Sequence, residues 1–487
     1  MTQPESDLSH YKTGRARRAF SGVLWSGFNA VVPALSSLVV FSLVSRVVSP
    51  EEFGFVAFAV AIVSTIGAFS PAGFGDALIQ RKELKSEHLN TTFWICLLWG
   101  ILLYGGTAIL AGLLASSLGV PMLGTLLPVV GIRLIFELGV VVPTALLNRQ
   151  MQFRQLAVRT LVASVISMVA CLLVLYLGHG LWALVISQIV GAGVIFVVSW
   201  LSIKWRPTAN LSLDTLSELK SFGGYASASR LITSINLEQL LIGSMLNSAA
   251  LGVYAFARRI FQIINDVLSG ALAGVAYPLL SSMQDEPEKL RDVYLATTFL
   301  SSVFAFPIFV GLAIIANDAL PLVFGAQWGA AVIALQAFCA IGLLSCIGIL
   351  QAALLRARGR VDFWTWYQVG QQTLTAITIV LLARFGMTAV FLGMAIKSWL
   401  TVPFVAILVC RMVGIPLNKY AAQFWPPLFG CLMMGGGIFC VRYGLKLSPI
   451  TTLSLEIAVG AITYSTVVVL TAGRRLSEIL KMIKSRR

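Results

Sequence analysis

The sequence predicts an all-α polytopic membrane protein. About fourteen transmembrane helices form two six-helix lobes related by a parallel repeat, and a final helix pair follows. Three observations predict this. Of 487 residues, 58% are hydrophobic and only 11% charged, whereas a soluble domain carries about a quarter charged residues. Apolar runs of about 20 residues, the length a helix needs to cross a bilayer, recur from end to end. Finally, SPEEFGFVAFA, from Ser49 to Ala59, is echoed by NSAALGVYAFA, from Asn247 to Ala257. Alternating strands of about ten residues are absent, which excludes an outer-membrane barrel.

In chain order, residues 1–19 form a basic N-terminus. An N-lobe follows over 20–203, with spans near 20–44, 54–78, 91–115, 121–147, 155–177 and 181–203. The run after Arg15, Arg17 and Arg18 is too long for a cleavable signal, so the first span is expected to be an anchor. Residues 204–220, KWRPTANLSLDTLSELK, are the longest polar connection and read as a linker, with Pro207 and Asn210 breaking the preceding helix. A C-lobe over 221–411 carries spans near 221–246, 250–280, 293–316, 328–354, 362–383 and 387–410. The final pair, near 422–442 and 450–472, lies in 412–472. The tail, 473–487, spaces Leu476, Ile479, Leu480 and Ile483 as a basic amphipathic helix suited to an anionic membrane surface, or to a protein partner.

With the N-terminus in the cytoplasm, 25 of the 35 Lys and Arg fall in cytoplasmic segments, four on the opposite side and six within spans. That asymmetry follows the positive-inside rule and places both termini in the cytoplasm. It also accounts for the net charge of +15 without nucleic acid. All seven cysteines fall inside spans as packing residues, and the three histidines (His10, His88, His179) sit at loops or the terminus. No metal or haem site and no cofactor is expected.

The echo at Ser49 and Asn247 has an offset of 198 residues, which is six spans. A second echo pairs Ala145-Leu146-Leu147 with Ala353-Leu354-Leu355, and Gly178 with Gly386, at an offset of 208. Six is even, so both lobes enter the membrane in the same direction and are suited to rocking about a shared site. Ser49-Pro50-Glu51-Glu52 also has the grammar of a helix start: a Ser cap, Pro in the first turn, Glu three residues on. The second copy keeps a capping residue and drops the carboxylates, so Glu51 and Glu52 read as capping rather than catalytic.

Charges at mid-bilayer cost about 2.5–3.5 kcal/mol on the gentlest scale, yet several spans carry them. Arg133 and Glu137 are spaced i,i+4 in the fourth. In the seventh, Ser227, Arg230, Ser234 and Glu238 share a stripe. The eighth carries Tyr254, Arg258, Gln262 and Asn265, flanked by Arg259 and Asp266. Gln368, Gln371, Gln372 and Thr375 mark the eleventh, and Lys397 the twelfth. Shifted by the repeat offset, these charges land on uncharged residues: Arg230 on Val32, Glu238 on Val40, Arg258 on Val60, Arg133 on Ile341, Lys397 on Ile189. Charges needed for the lobe fold would occur in both copies, so the asymmetry points to a polar cavity. Arg133, Arg230, Arg258, Arg259 and Lys397 outnumber Glu137, Glu238 and Asp266, which suits an anion and phosphate oxygens in particular. Local pairing of Arg133 with Glu137 is the competing reading.

The stretches SRVVSPEEFGFVAFA, GFGDALIQRKELKSEHLNTTFW (Gly73 to Trp94) and LLNRQMQFRQLAVRTLVAS (Leu146 to Ser164) resemble, in this order and spacing, the polysaccharide transporter family. These are the Wzx-type flippases of the multidrug/oligosaccharidyl-lipid/polysaccharide exporter superfamily. The resemblance implies a non-enzymatic exporter in the bacterial inner membrane. Its substrate would be an undecaprenyl-diphosphate-linked oligosaccharide repeat unit, moved across for exopolysaccharide, capsule or O-antigen synthesis. Membrane lipids and a polysaccharide polymerase are the further partners it implies. The bottom-up candidates for the substrate are Arg133, Glu137, Arg230, Glu238, Arg258, Arg259, Gln368, Gln372 and Lys397, with Gln371, Trp364 and Trp366 as further sugar contacts. Glu137, Glu238 or Asp266 would carry H+ or Na+ if transport is ion-coupled; the alternative is that each balances a nearby arginine. No Walker motif is present.

Three other readings compete. A multidrug cation antiporter would favour a cavity richer in carboxylates than arginines. A lipid-linked peptidoglycan-precursor flippase shares the cationic cavity. A membrane polymerase or glycosyltransferase would need a large outer loop, and every outer loop is short.

Overall fold

A computed structural model describes residues 38–210, 212–281, 283, 286–444 and 448–484. The basic N-terminus, most of the first expected span and the last three tail residues lie outside the described residues. Every regular element among those described is helical, and ten helical segments are long and apolar enough to cross a membrane. Three expected spans, 221–246, 250–280 and 362–383, form helices yet fall outside those ten. They carry Arg230, Glu238, Arg258, Asp266 and the glutamines, so their polar residues lower their hydropathy. Such helices suit the inside of a bundle better than lipid.

The chain packs as two compact units. The first comprises residues up to Val48 and Phe55–Asn236. It holds α1 (38–45), most of α2 (Pro50–Ala68), α3 (Phe74–Gln80), α4 (Ser86–Ser117), α5 (Leu123–Gly131), α6 (Arg133–Gly139), α7 (Val141–Arg149), α8 (Phe153–Tyr176), α9 (Gly180–Ser202) and α10 (Leu213–Ser234). Here α10, assigned by the repeat to the second lobe, packs on α3 and α4. Gly73 makes that approach possible, because a Cβ there would lie 2.3 Å from the Ser227 amide nitrogen. Phe74 and Ala77 bury against Leu219 in the same seam. The linker is shorter than the sequence suggests, since α10 begins at Leu213. Thr208 and Ser212 bond Asn90, Trp94 and Thr91 at the start of α4. His88, expected in a loop, lies in the first turn of α4, 3% exposed, with Nε2 against Glu218.

The second unit comprises Ser49–Gly54 and Leu237–Arg487. Its described helices are the first turn of α2, then α11 (Leu237–Met245), α12 (Ser248–Ser281), α13 (Pro287–Phe324), α14 (Ala331–Ala357), α15 (Val361–Leu382), α16 (Met387–Val413), α17 (Leu417–Ala421), α18 (Trp425–Gly444) and α19 (Pro449–Lys484). The two echoed stretches meet here. Ser49 caps α2 through a reciprocal box, its amide donating to Glu52 and its hydroxyl accepting from the Glu52 amide, while the Asn247 side chain accepts from the Ala250 amide. Both caps are the ones the sequence predicts. The helices they start then cross at Gly54 and Gly252, which are themselves 198 residues apart. Between membrane helices, with little hydrophobic driving force, such small-residue contacts supply close van der Waals packing.

The final pair, α18 and α19, joins the core of the second unit through Met434, Ile438, Tyr464 and Val468 packed with residues of α13. Arg442 on α18 is clamped by the fully buried Glu456 of α19 at 2.9 Å, by Asp318 of α13 and by the Ile314 carbonyl. The tail continues α19 without a separate helix as far as Lys484.

Candidate functional site

Three of the expected continuous spans are interrupted, and Asp76, Arg133, Glu137, Arg230 and Glu238 stand at or near the interruptions, while Arg258, Arg259, Asp266 and Lys397 lie within the continuous helices α12 and α16. Residues 54–78 divide into α2 and α3 around Phe69–Gly73, with Asp76 in the first turn of α3. Residues 121–147 divide into α5, α6 and α7, with Arg133 opening the central piece and Glu137 near its end. Residues 221–246 divide into α10 and α11 at Ile235–Asn236, between Arg230 and Glu238.

A broken helix in a membrane frees backbone carbonyls, which neighbouring groups must satisfy. Trp99 Nε1 donates to the Phe69 carbonyl at 3.0 Å. Trp200 Nε1 donates to that of Gly139 at 3.2 Å. Past the end of α3, the Arg149 guanidinium gathers the carbonyls of Leu78, Ile79, Arg81 and Lys82. The breaks are therefore built features, and irregular backbone of this kind belongs where a cavity is lined.

Such a cavity lies within the first unit, with a volume of about 400 Å³. Arg133, Glu137, Arg230 and Asp76 line it, together with the polar side chains of Ser64, Thr144, Asn148 and Ser234. Arg133, 16% exposed, is held from three sides: Gln188 Oε1 at 2.9 Å, Ser64 Oγ at 3.2 Å, and Glu137 in an ion pair at 3.0 Å. The i,i+4 pairing foreseen as the competing reading is thus present, and Gln188 and Ser64 are partners the sequence does not announce. Arg230 forms a two-pronged fork with Asp76, Nε to Oδ2 at 3.0 Å and Nη2 to Oδ1 at 2.9 Å. Asp76 corrects the expected charge balance, because two arginines now face two carboxylates. It stands in the stretch GFGDALIQ, two residues from the end of the expected span 54–78.

The other expected residues lie in the second unit. Glu238, at the start of α11, accepts from the Tyr254 hydroxyl, and Arg258 Nη1 lies 3.5 Å from Glu238 and 3.3 Å from the Tyr254 hydroxyl. Arg259 projects from a different, exposed face, as expected of adjacent helical residues. Lys397 donates to Gln371 Oε1 at 3.0 Å and to Thr375 Oγ1 at 2.8 Å. Gln371 and Thr375 stand one turn apart on α15, and Lys397 takes that face, whereas Gln368 and Gln372 are exposed. Trp364 packs into the core of the second unit beside Tyr367, and Trp366 is 74% exposed. Asn265 accepts from Ser345 at 2.7 Å.

Outside the spans, Glu218 of α10 sits against Arg81 and His88. The His88 hydrogen bond, then the Arg81 charge, holds its carboxyl below the ordinary glutamate value. The Lys85 amide donates to Nδ1 of the same imidazole at 3.0 Å, leaving Nε2 as the nitrogen that carries the proton toward Glu218.

Comparison with known proteins agrees with this architecture. The chain is similar to the succinoglycan biosynthesis transport protein ExoT of Rhizobium meliloti (strain 1021), 25% identical over 98% of this chain and 97% of the relative. It is also similar to the lipopolysaccharide biosynthesis protein WzxC of Escherichia coli (strain K12), 25% identical over 85% of each. Among solved structures, the lipid II flippase MurJ in an inward closed conformation matches with a TM-score of 0.76. That match covers 93% of this chain and all of that one at 15% identity, a likeness of fold. The profile of the polysaccharide biosynthesis protein family spans residues 43–333, more than half the sequence and all of the first unit's cavity. With broken helices, paired membrane charges and this match in agreement, the chain belongs to the polysaccharide biosynthesis protein family, the transporter group its sequence resembles.

Proposed function

We propose that this protein is a flippase, a transporter rather than an enzyme. It carries undecaprenyl-diphosphate-linked oligosaccharide repeat units across the bacterial inner membrane for exopolysaccharide, capsule or O-antigen synthesis. The observation that carries the proposal is the placement of Arg133 and Arg230 at helix breaks around one membrane cavity. Guanidinium forks match phosphate oxygens bidentately, and a diphosphate is the charged part of such a lipid. Ser64, Thr144, Asn148 and Ser234 offer hydroxyl and amide groups for the attached sugar. The lipid tail stays in the bilayer while the headgroup crosses.

The proposal includes the fourteen-span, two-lobe layout with both termini in the cytoplasm. Its support is the pair of sequence echoes at offsets of 198 and 208 residues, together with the placement of Lys and Arg. Alternating access would expose the arginines first to one leaflet and then to the other. Glu238, Arg258 and Lys397 are proposed as the second unit's contribution to headgroup binding. The carboxylates of the first unit's cavity each face an arginine, which disfavours the cation-antiporter reading. The test is flipping in proteoliposomes loaded with a fluorescent lipid-linked oligosaccharide. Wild type is expected to move it to the opposite leaflet, and Arg133→Ala with Arg230→Ala to lose about a hundredfold in rate, roughly two charge-assisted hydrogen bonds. Undiminished flipping by the double variant would refute the assignment.

A further inference from the structure

The two arginines of the first unit's cavity are held in different ways. Arg133 is 16% exposed and fixed by side chains of α2, α6 and α9. Arg230 is 52% exposed, and its fork closes on Asp76, itself 38% exposed. The Arg230 fork is thus reachable from the cavity, and a two-oxygen acceptor already occupies it.

That acceptor has the geometry of a phosphate edge. A carboxylate presents two oxygens to Nε and Nη2 just as two phosphate oxygens would. It also sits on α3, a seven-residue helix set off from α2 by the break at Phe69–Gly73. Asp76 therefore rides on a short segment, whereas Gln188 and Ser64, two of Arg133's three partners, are on the longer helices α9 and α2.

We infer that Asp76 is an internal stand-in for the substrate's phosphate: it occupies the Arg230 fork, yields it to the incoming diphosphate, and reclaims it to release the headgroup. The inference rests on the flippase reading and deepens it by naming what the substrate must displace. Exchange of one anion for another keeps the Arg230 guanidinium paired at every stage, and the displaced Asp76, 38% exposed, is left facing the cavity it lines. A competitor built into the site weakens binding and speeds release, which a transporter needs as much as capture. The α3–α10 seam, with Ser227 Oγ accepting from the Gly73 amide at 3.1 Å, is the contact through which loss of the fork would loosen α3.

The experiment uses the full-length protein in lipid nanodiscs, with inorganic pyrophosphate as the probe and calorimetry as the readout. Asp76→Asn removes the competing charge at nearly constant shape, and Asp76→Ser removes it with a different shape. Both are expected to bind pyrophosphate at least about tenfold more tightly than wild type, the equivalent of one charge-assisted hydrogen bond no longer displaced. Arg230→Ala should bind weakly, and adding Asp76→Asn to it should restore nothing. Flipping by Asp76→Asn should fall although its affinity rises. Equal or weaker binding by both Asp76 variants, a gain that persists without Arg230, or no binding by any variant would overturn the inference. Wild-type flipping, read in parallel, separates the two claims. Flipping without the affinity gain sinks the exchange alone; no flipping sinks the transport reading, while the pyrophosphate data still decide the exchange.

Discussion

Placing a methyl group at Gly54 should part the two echoed stretches. A Cβ there would lie 1.7 Å from the Ser248 carbonyl oxygen, and one on Gly252 would lie 1.7 Å from that of Pro50. Real Cβ atoms essentially never come within 3.0 Å of such an atom, so α2 and α12 must separate by at least about 1.3 Å. Neither obstacle is a side chain that can rotate away; both are backbone of the opposing helix. Overpacking costs about 1–3 kcal/mol, and rigid backbone on both sides puts Gly54→Ala near the upper end. The same movement loosens Phe53 from Trp328 and Phe256, whose ring centroids lie 5.7 and 6.4 Å away, adding a fraction of about 1 kcal/mol. One separation accommodates both methyls, so Gly54→Ala with Gly252→Ala should cost little more than either alone. Thermal unfolding of the purified protein, followed by tryptophan fluorescence, gives the four values of this cycle. A wild-type melting temperature for Gly54→Ala, or fully additive losses in the double variant, would refute the packing argument.

Arg442→Ala should destabilise the second unit by about 3–5 kcal/mol, because it strands the fully buried Glu456 as an unpaired charge. Adding Glu456→Gln should recover part of that loss in the same melting assay, and no recovery would argue against the clamp. The Glu218 carboxyl is held below the ordinary glutamate value of 4.5, so its contribution is fully present above that value and lost as pH falls through the lower folded one. Wild type should keep the start of α10 joined to Arg81 and His88 down to pH values below the usual carboxylate range. Glu218→Gln should loosen that contact at neutral pH and lose the acid-dependent step, as read by amide hydrogen exchange over residues 213–220. An unchanged pH profile for the variant would contradict this reading.

Sequence periodicity locates charges along a helix axis well, because 3.6 residues per turn is fixed by the backbone. That is why Arg133 with Glu137 and the caps at Ser49 and Asn247 were legible, whereas the expected stripe from Arg230 to Glu238 is cut at Ile235–Asn236 and its two charges take different partners. The helix interruptions do not show in hydropathy, which averages over a local turn; Ser70-Pro71 with Gly73 at the first break and Asn236 at the third are the signals that mark them. Asp76, near the end of what the sequence presents as one unbroken span, gains its role only from the break that brings it opposite Arg230. Lys397 shows a related limit. The sequence presents four polar residues on α15, and the choice of Gln371 and Thr375 over Gln368 and Gln372 is set by the rotation of α15 against α16, a tertiary quantity. Gln188 and Ser64, polar residues in largely apolar spans, acquire meaning only when Arg133 is seen between them.

The central claim is that this chain moves a lipid-linked oligosaccharide through an arginine-lined cavity. The direct measurement is the sidedness of that glycolipid in cells lacking the gene, read by accessibility to a membrane-impermeant lectin after isolation of spheroplasts. The account predicts that undecaprenyl-diphosphate-linked repeat units accumulate out of the lectin's reach, and that wild type restores their exposure while Arg133→Ala with Arg230→Ala, although inserted, does not. Exposure at wild-type levels in the deletion strain, or full restoration by the double variant, would contradict it.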